Sequence, residues 1–107
     1  MTIKVRNKKA DPQLKQIVEV LRLYQSDHPD AAIEVYRHSS VSVRIRILDP
    51  NFKRMDRAER EDELWQLFER LPEEVVAEIT LLLLLTPDEA KKSFANMEFD
   101  NPVPSRL

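Results

Sequence analysis

The sequence predicts an α+β domain in which a three-stranded mixed sheet carries helices on one face. Residues 41–48 alternate strictly: Val41, Val43, Ile45 and Ile47 share one side and Ser42, Arg44 and Arg46 the other, the period of a half-buried strand. Residues 81–85 are five consecutive leucines and read as a second strand. The amphipathic segment between them reads as a helical crossover, which favours parallel pairing with a right-handed connection. The expected order is α-β-β-α-(α)-β-α, with strands at about 33–37, 41–48 and 79–85.

Each element has a local cause. Residues 1–10 hold Lys4, Arg6, Lys8 and Lys9 with little to bury, and are expected as a mobile basic arm. Asp11-Pro12 is a helix start, since Asp caps free amides and Pro at the first helical position has no amide to satisfy. Leu14, Ile17, Val18, Leu21 and Tyr24 then fall on one face. The helix should stop near Ser26, because Pro29 pushes His28 out of the helical region. Ile33 and Val35 alternate with Glu34 and Tyr36 in a strand that can form a hairpin with residues 41–48. Asp56 and Glu59 have capping-box spacing, so the crossover helix starts at Arg57 and buries Leu64, Leu67, Phe68 and Leu71, with Trp65 beside them. Pro72 ends this helix or opens a short second one. Thr86-Pro87-Asp88-Glu89 repeats the capping logic for a last helix running to about Met97, followed by an extended tail, 98–107.

With 107 residues, the chain makes one domain and can bury roughly 65% of the surface its unfolded form exposes. It has no cysteine, which excludes disulfides, thiol catalysis and cysteine-ligated metal and fits a cytoplasmic location. It has no glycine either, which excludes the phosphate-cradling loops of Walker, Rossmann and kinase type and the Gly-x-x-Gly clamp of KH domains. No stretch has the length of a membrane span, so no membrane partner is expected. Net charge is only −2, but residues 1–60 carry 13 Lys/Arg against 8 Asp/Glu while residues 61–107 carry 4 against 11. Such asymmetry suits an acidic or nucleic-acid partner on the first half, or simply solvated faces.

No catalytic or metal constellation stands out. His28 and His38 lack further His or Cys at ligand spacing, and His28 reads as a helix C-terminal residue. The carboxylates of residues 59–63 include a helical i,i+4 partner for Arg57 in Glu61, the mark of a solvated helix face. Ser39-Ser40 has no base at a recognisable spacing. Two surfaces remain. One is basic: Arg44 and Arg46 on the open face of the sheet, with Lys53, Arg54 and Arg57 beyond it at a helix N-terminus, a set suited to phosphate or carboxylate. The other is apolar: Leu82 with Leu84, or their neighbours, face away from the helical layer and require a partner, a second copy included.

From Ile33 onward the chain resembles the BolA family. The carriers are Ile33-Glu34-Val35, the alternating strand, Phe52, Arg57-Ala58-Glu59-Arg60, the helix to Leu71 and Leu85-Thr86-Pro87-Asp88-Glu89. The resemblance implies a BolA-like, class II KH-related fold. It also implies, for the family, an iron–sulfur cluster shared with a monothiol glutaredoxin, and a DNA-associated regulatory role. Here Arg54 replaces the family's loop glycine, Glu61 replaces the helix histidine, and Glu78-Ile79-Thr80 occupies the region of the third-strand histidine. Only His38 could meet the hairpin ligand position, and one imidazole cannot replace two ligands. The expectation is therefore a non-enzymatic interaction or regulatory protein, without cofactor, binding a protein partner or itself through the open sheet face. Nucleic-acid binding through the basic surface is the alternative, and cluster sharing with a glutaredoxin ranks behind both.

Overall fold

The structure is a computed structural model that describes residues 2–6 and 11–101. A four-stranded mixed sheet has the order β1-β2-β3-β4, with β1 Thr2–Val5, β2 Ala32–Ser39, β3 Ser42–Leu48 and β4 Ile79–Leu85. The central pair is the expected antiparallel hairpin, and β3 pairs with β4 in parallel. The fourth strand is a correction. Residues 2–5 do not belong to an arm; they pair in parallel with β2, and Ile3 and Val5 pack against the core. The alternating Ile3 and Val5 supply the two apolar side chains that an edge strand needs. The rest of the expected arm, residues 7–10, lies outside the described residues.

Helix α1, Pro12–Asp27, is capped by the Asp11 side chain, which accepts from the Leu14 amide. It buries the five predicted residues together with Val20. Asp11 also anchors Arg37 of β2, through Arg37 Nε at 2.5 Å and Nη2 at 3.1 Å. The hydrogen bond from Arg37 holds the Asp11 carboxyl below its ordinary range. Helix α2, Arg57–Phe68, starts where the capping box puts it, with both reciprocal bonds present. Leu64 and Phe68 are fully buried beneath Ile33, Val35, Val43, Ile45 and Ile47, so α1, α2 and one sheet face enclose the core. Pro72 opens a short helix α3, Glu73–Val76. Val41, expected inside, is 69% exposed in the hairpin turn, and β3 begins one residue later.

The second sheet face is covered, contrary to the expectation of helices on one face only. The last helix does not run unbroken to Met97. It stops as α4, Pro87–Ala90, and restarts as α5, Phe94–Asp100, capped by Ser93. The break lets the chain turn back over the sheet, and α5 lies across Tyr36, Arg44 and Arg46. Phe99 is fully buried there, edge-on to Tyr36 at 4.9 Å and beneath the Arg46 guanidinium at 4.7 Å. Of the expected extended tail, residues 98–100 are thus helical, and 102–107 lie outside the described residues.

Candidate functional site

The predicted basic surface divides into two parts with different fates. Arg44 and Arg46 point to the second face as their alternation requires, but α5 meets them there. Arg44 Nη1 donates to both oxygens of Glu98 at 2.8 Å. Arg46 donates to Asn96 Oδ1 at 2.9 Å, to Asp100 at 2.7 Å and to Glu34 at 2.8 Å. Arg6 adds contacts to Glu34 and to Asp100. These guanidiniums are committed to intramolecular carboxylates, so neither is an open anion site. No property of the strand itself announces this, because the neutralising residues lie about 50 positions further along the chain.

Lys53, Arg54 and Arg57 behave otherwise. Lys53 and Arg54 end a 3₁₀ turn, Pro50–Arg54, whose Phe52 plugs the core, and Arg57 opens α2. Among the described residues none of the three makes an ion pair, and the expected Arg57–Glu61 pair is not formed. Lys92, which sequence reasoning passed over, joins Lys53 and Arg57 around a cavity of about 670 Å3 floored by Met55 and Leu85. Phe94 forms part of its wall and is 87% exposed.

Arg60 also lines this cavity, though it is almost wholly buried. It donates to the carbonyls of Met55, Phe52 and Leu84 and to the carboxylate of Glu89, the last at 2.7 Å. One side chain thus ties the 3₁₀ turn, β4 and α4 to α2. The bond from Arg60, with the Thr86 amide second, pulls the Glu89 carboxyl from its ordinary 4.5 to about 2. A carboxyl depressed on folding stabilises the fold above its unfolded pKa and loses that contribution as pH falls through 4.5 toward 2. The thermal stability gap between the wild type and Glu89→Gln is therefore expected to be full near neutral pH and to close by about pH 2, measured by calorimetry across that window.

The leucine run also needs correction. Leu82 and Leu84 do not face outward: their register opposite Ile45 and Ile47 turns them into the core, where Leu84 is buried and Leu82 packs against it. The cause is a one-residue irregularity between Val43 and Arg44, beside a Ser42–Thr80 hydroxyl contact. A single bulge exchanges the two faces of everything after it. Leu81 and Leu83 consequently align with Arg44 and Arg46 on the second face.

Among the described residues no strand pairs with the outer edge of β4, which Arg60 occupies at Leu84 and which is left at Leu82. The Leu85 carbonyl accepts from the Asp49 amide on the β3 side, whereas the Leu84 carbonyl points the other way, to Arg60. Alternation then puts the amide and carbonyl of Leu82 on the outer edge. No charged residue or proline interrupts residues 80–85, although exposed edges normally carry such protection. Alongside runs a groove of about 150 Å3 between Arg57 and Glu61 of α2 and Ser93 and Ala95 at the start of α5.

The histidines offer little chemistry. His28 Nδ1 lies 2.9 Å from the Tyr24 carbonyl and Nε2 3.1 Å from Glu63, so neither ring nitrogen is left for a substrate. Its ring stacks on Tyr24 at 3.9 Å. The Tyr24 hydroxyl donates to the fully buried Asp49, and burial with that bond raises its pKa. His38 sits edge-on to Tyr36. At the start of β4, Glu78 is paired with Arg37 and Thr80 with Ser42, so the residues present do not fit a cluster of the family's type. Among the described residues no group of three or more His, Asp or Glu is arranged to hold a metal ion, and no helix is long and apolar enough to cross a membrane. Compared with known proteins, the chain matches no family model, no curated protein and no solved structure.

Proposed function

We propose that this is a non-enzymatic interaction protein of BolA-like type that docks an extended, apolar segment as an added strand along the free edge of β4. The single observation that carries this reading is the uncharged leucine edge, whose outward backbone groups at Leu82 have no strand beside them among the described residues. Main-chain bonds to such an edge supply affinity, and the adjoining groove selects side chains. The BolA-like part is supported by the element order from α1 through α4 and by the parallel β3–β4 pair. The segment comes from another protein or from a second copy. Ala95 is exposed at the groove wall, so Ala95→Arg fills the groove without touching the core. Peptide display on the wild type should enrich extended apolar segments, or light scattering should show a mass that rises with concentration, and Ala95→Arg should abolish whichever occurs. A wild type that stays monomeric and enriches no such segment overturns the reading.

A second reading, polyanion binding, is favoured by Lys53, Arg57 and Lys92, which surround one cavity and make no ion pair among the described residues. It predicts retention on a polyanion matrix that falls steeply with salt and is lost in Lys53→Ala/Arg57→Ala.

A further inference from the structure

We infer that the cavity beside Phe94 is a site for a nucleoside phosphate, either free or as one unstacked nucleotide of a single strand. This rests on the polyanion reading and adds what a general polyanion does not need, a face for the base. Two chemistries meet there. Lys53, Arg57 and Lys92 line the cavity without ion pairs among the described residues, and the carboxylates beside them are already engaged. Asp56 accepts from the Glu59 amide at 2.9 Å, and Glu89 is held by Arg60. An incoming phosphate therefore meets cations that have no competing partner. The cap of α2 leaves the first-turn amides of Arg57 and Ala58 without side-chain acceptors, which favours the same charge.

The second chemistry is aromatic. Phe94 lines the same cavity at 87% exposure, although α5 buries Phe99 completely five residues later. A phenyl ring held at a helix start, with apolar Met55 and Leu85 as floor, is a platform on which any base can stack. The volume, about 670 Å3, lies within the range of small-molecule sites, roughly 300–1,000 Å3. Phosphate on the cations and base on Phe94 would place the sugar between them. A site of this kind reads no base identity, because it offers a ring face rather than donors and acceptors for a base edge.

Isothermal titration at low salt tests this with adenosine monophosphate, inorganic phosphate and a short oligothymidylate as probes. The monophosphate should bind more tightly than phosphate, and Phe94→Ala should weaken it about tenfold while leaving phosphate binding unchanged. Lys53→Ala should weaken both. Since Phe94 is exposed, its replacement should leave the thermal midpoint where it was, which separates loss of the platform from loss of the fold. Oligothymidylate that competes with the monophosphate assigns the nucleotide to a strand; failure to compete assigns it to a free ligand, and both support the site. If phosphate binds as well as the monophosphate and Phe94→Ala alters neither, the inference falls while the polyanion reading survives. If no probe binds, both fall.

Discussion

Arg60→Ala is expected to destabilise the domain by about 3 kcal/mol and to lower its thermal midpoint by more than about 10 °C. The size follows from what the guanidinium leaves behind. The bonds to the Leu84 and Phe52 carbonyls are buried, and removing a donor leaves such acceptors to bear their desolvation cost. Glu89 contributes less, because its carboxylate is exposed enough to be taken up by water. Arg60→Lys should recover only part of the loss, since an ammonium cannot span three carbonyls and a carboxylate from one planar fork. Chemical denaturation of both variants checks this. A cost below about 1 kcal/mol for Arg60→Ala would mean that the clamp is not formed in solution.

Phe99→Ala should produce a different response. Deleting a fully buried phenyl typically costs about 3–5 kcal/mol. Here the ring holds one short terminal helix, so the loss is capped at the free energy with which α5 docks. The expected result is release of α5 with the rest of the domain folded. Amides of residues 94–100 would lose hydrogen-exchange protection while β2, β3 and α1 keep theirs. The freed face would then display Tyr36, Arg44 and Arg46 without Glu98 and Asp100, and the variant should bind polyanions more tightly than the wild type at low salt. Uniform loss of protection across the sheet would show that α5 belongs to the cooperative core instead.

These two residues also mark how far the sequence can be read. Arg60 stands in a segment that sequence analysis singled out, Arg57-Ala58-Glu59-Arg60, yet only the folded chain shows that its carbonyl partners converge from the 3₁₀ turn and β4. Phe99 lies in a stretch expected to be an extended tail. Its signal is present in outline, since Phe99 is too apolar for a solvated tail and Ser93 can cap a helix that starts afresh after Ala90. The same limit applies to the site. Lys53 and Arg57 are legible because they are near neighbours in sequence, Arg54 between them does not line the cavity, and Lys92 and Phe94 reach it only through the break between α4 and α5.

The features legible from residue order alone are mostly local. The caps at Asp11, Asp56 and Thr86, the inward faces of α1 and α2 and the β2–β3 hairpin depend on residues close together in the chain, which side-chain periodicity reports directly, and the parallel β3–β4 pair follows from the strand-helix-strand order. Which leucines are buried, and which arginines meet a carboxylate among the described residues, is settled by long-range packing. A single bulge inverts the alternation of β4, and an acidic helix from the far end of the chain neutralises Arg44 and Arg46 while leaving Lys53 and Arg57 in solvent. Both outcomes depend on long-range register and docking, which leave no periodic trace in the segment they govern.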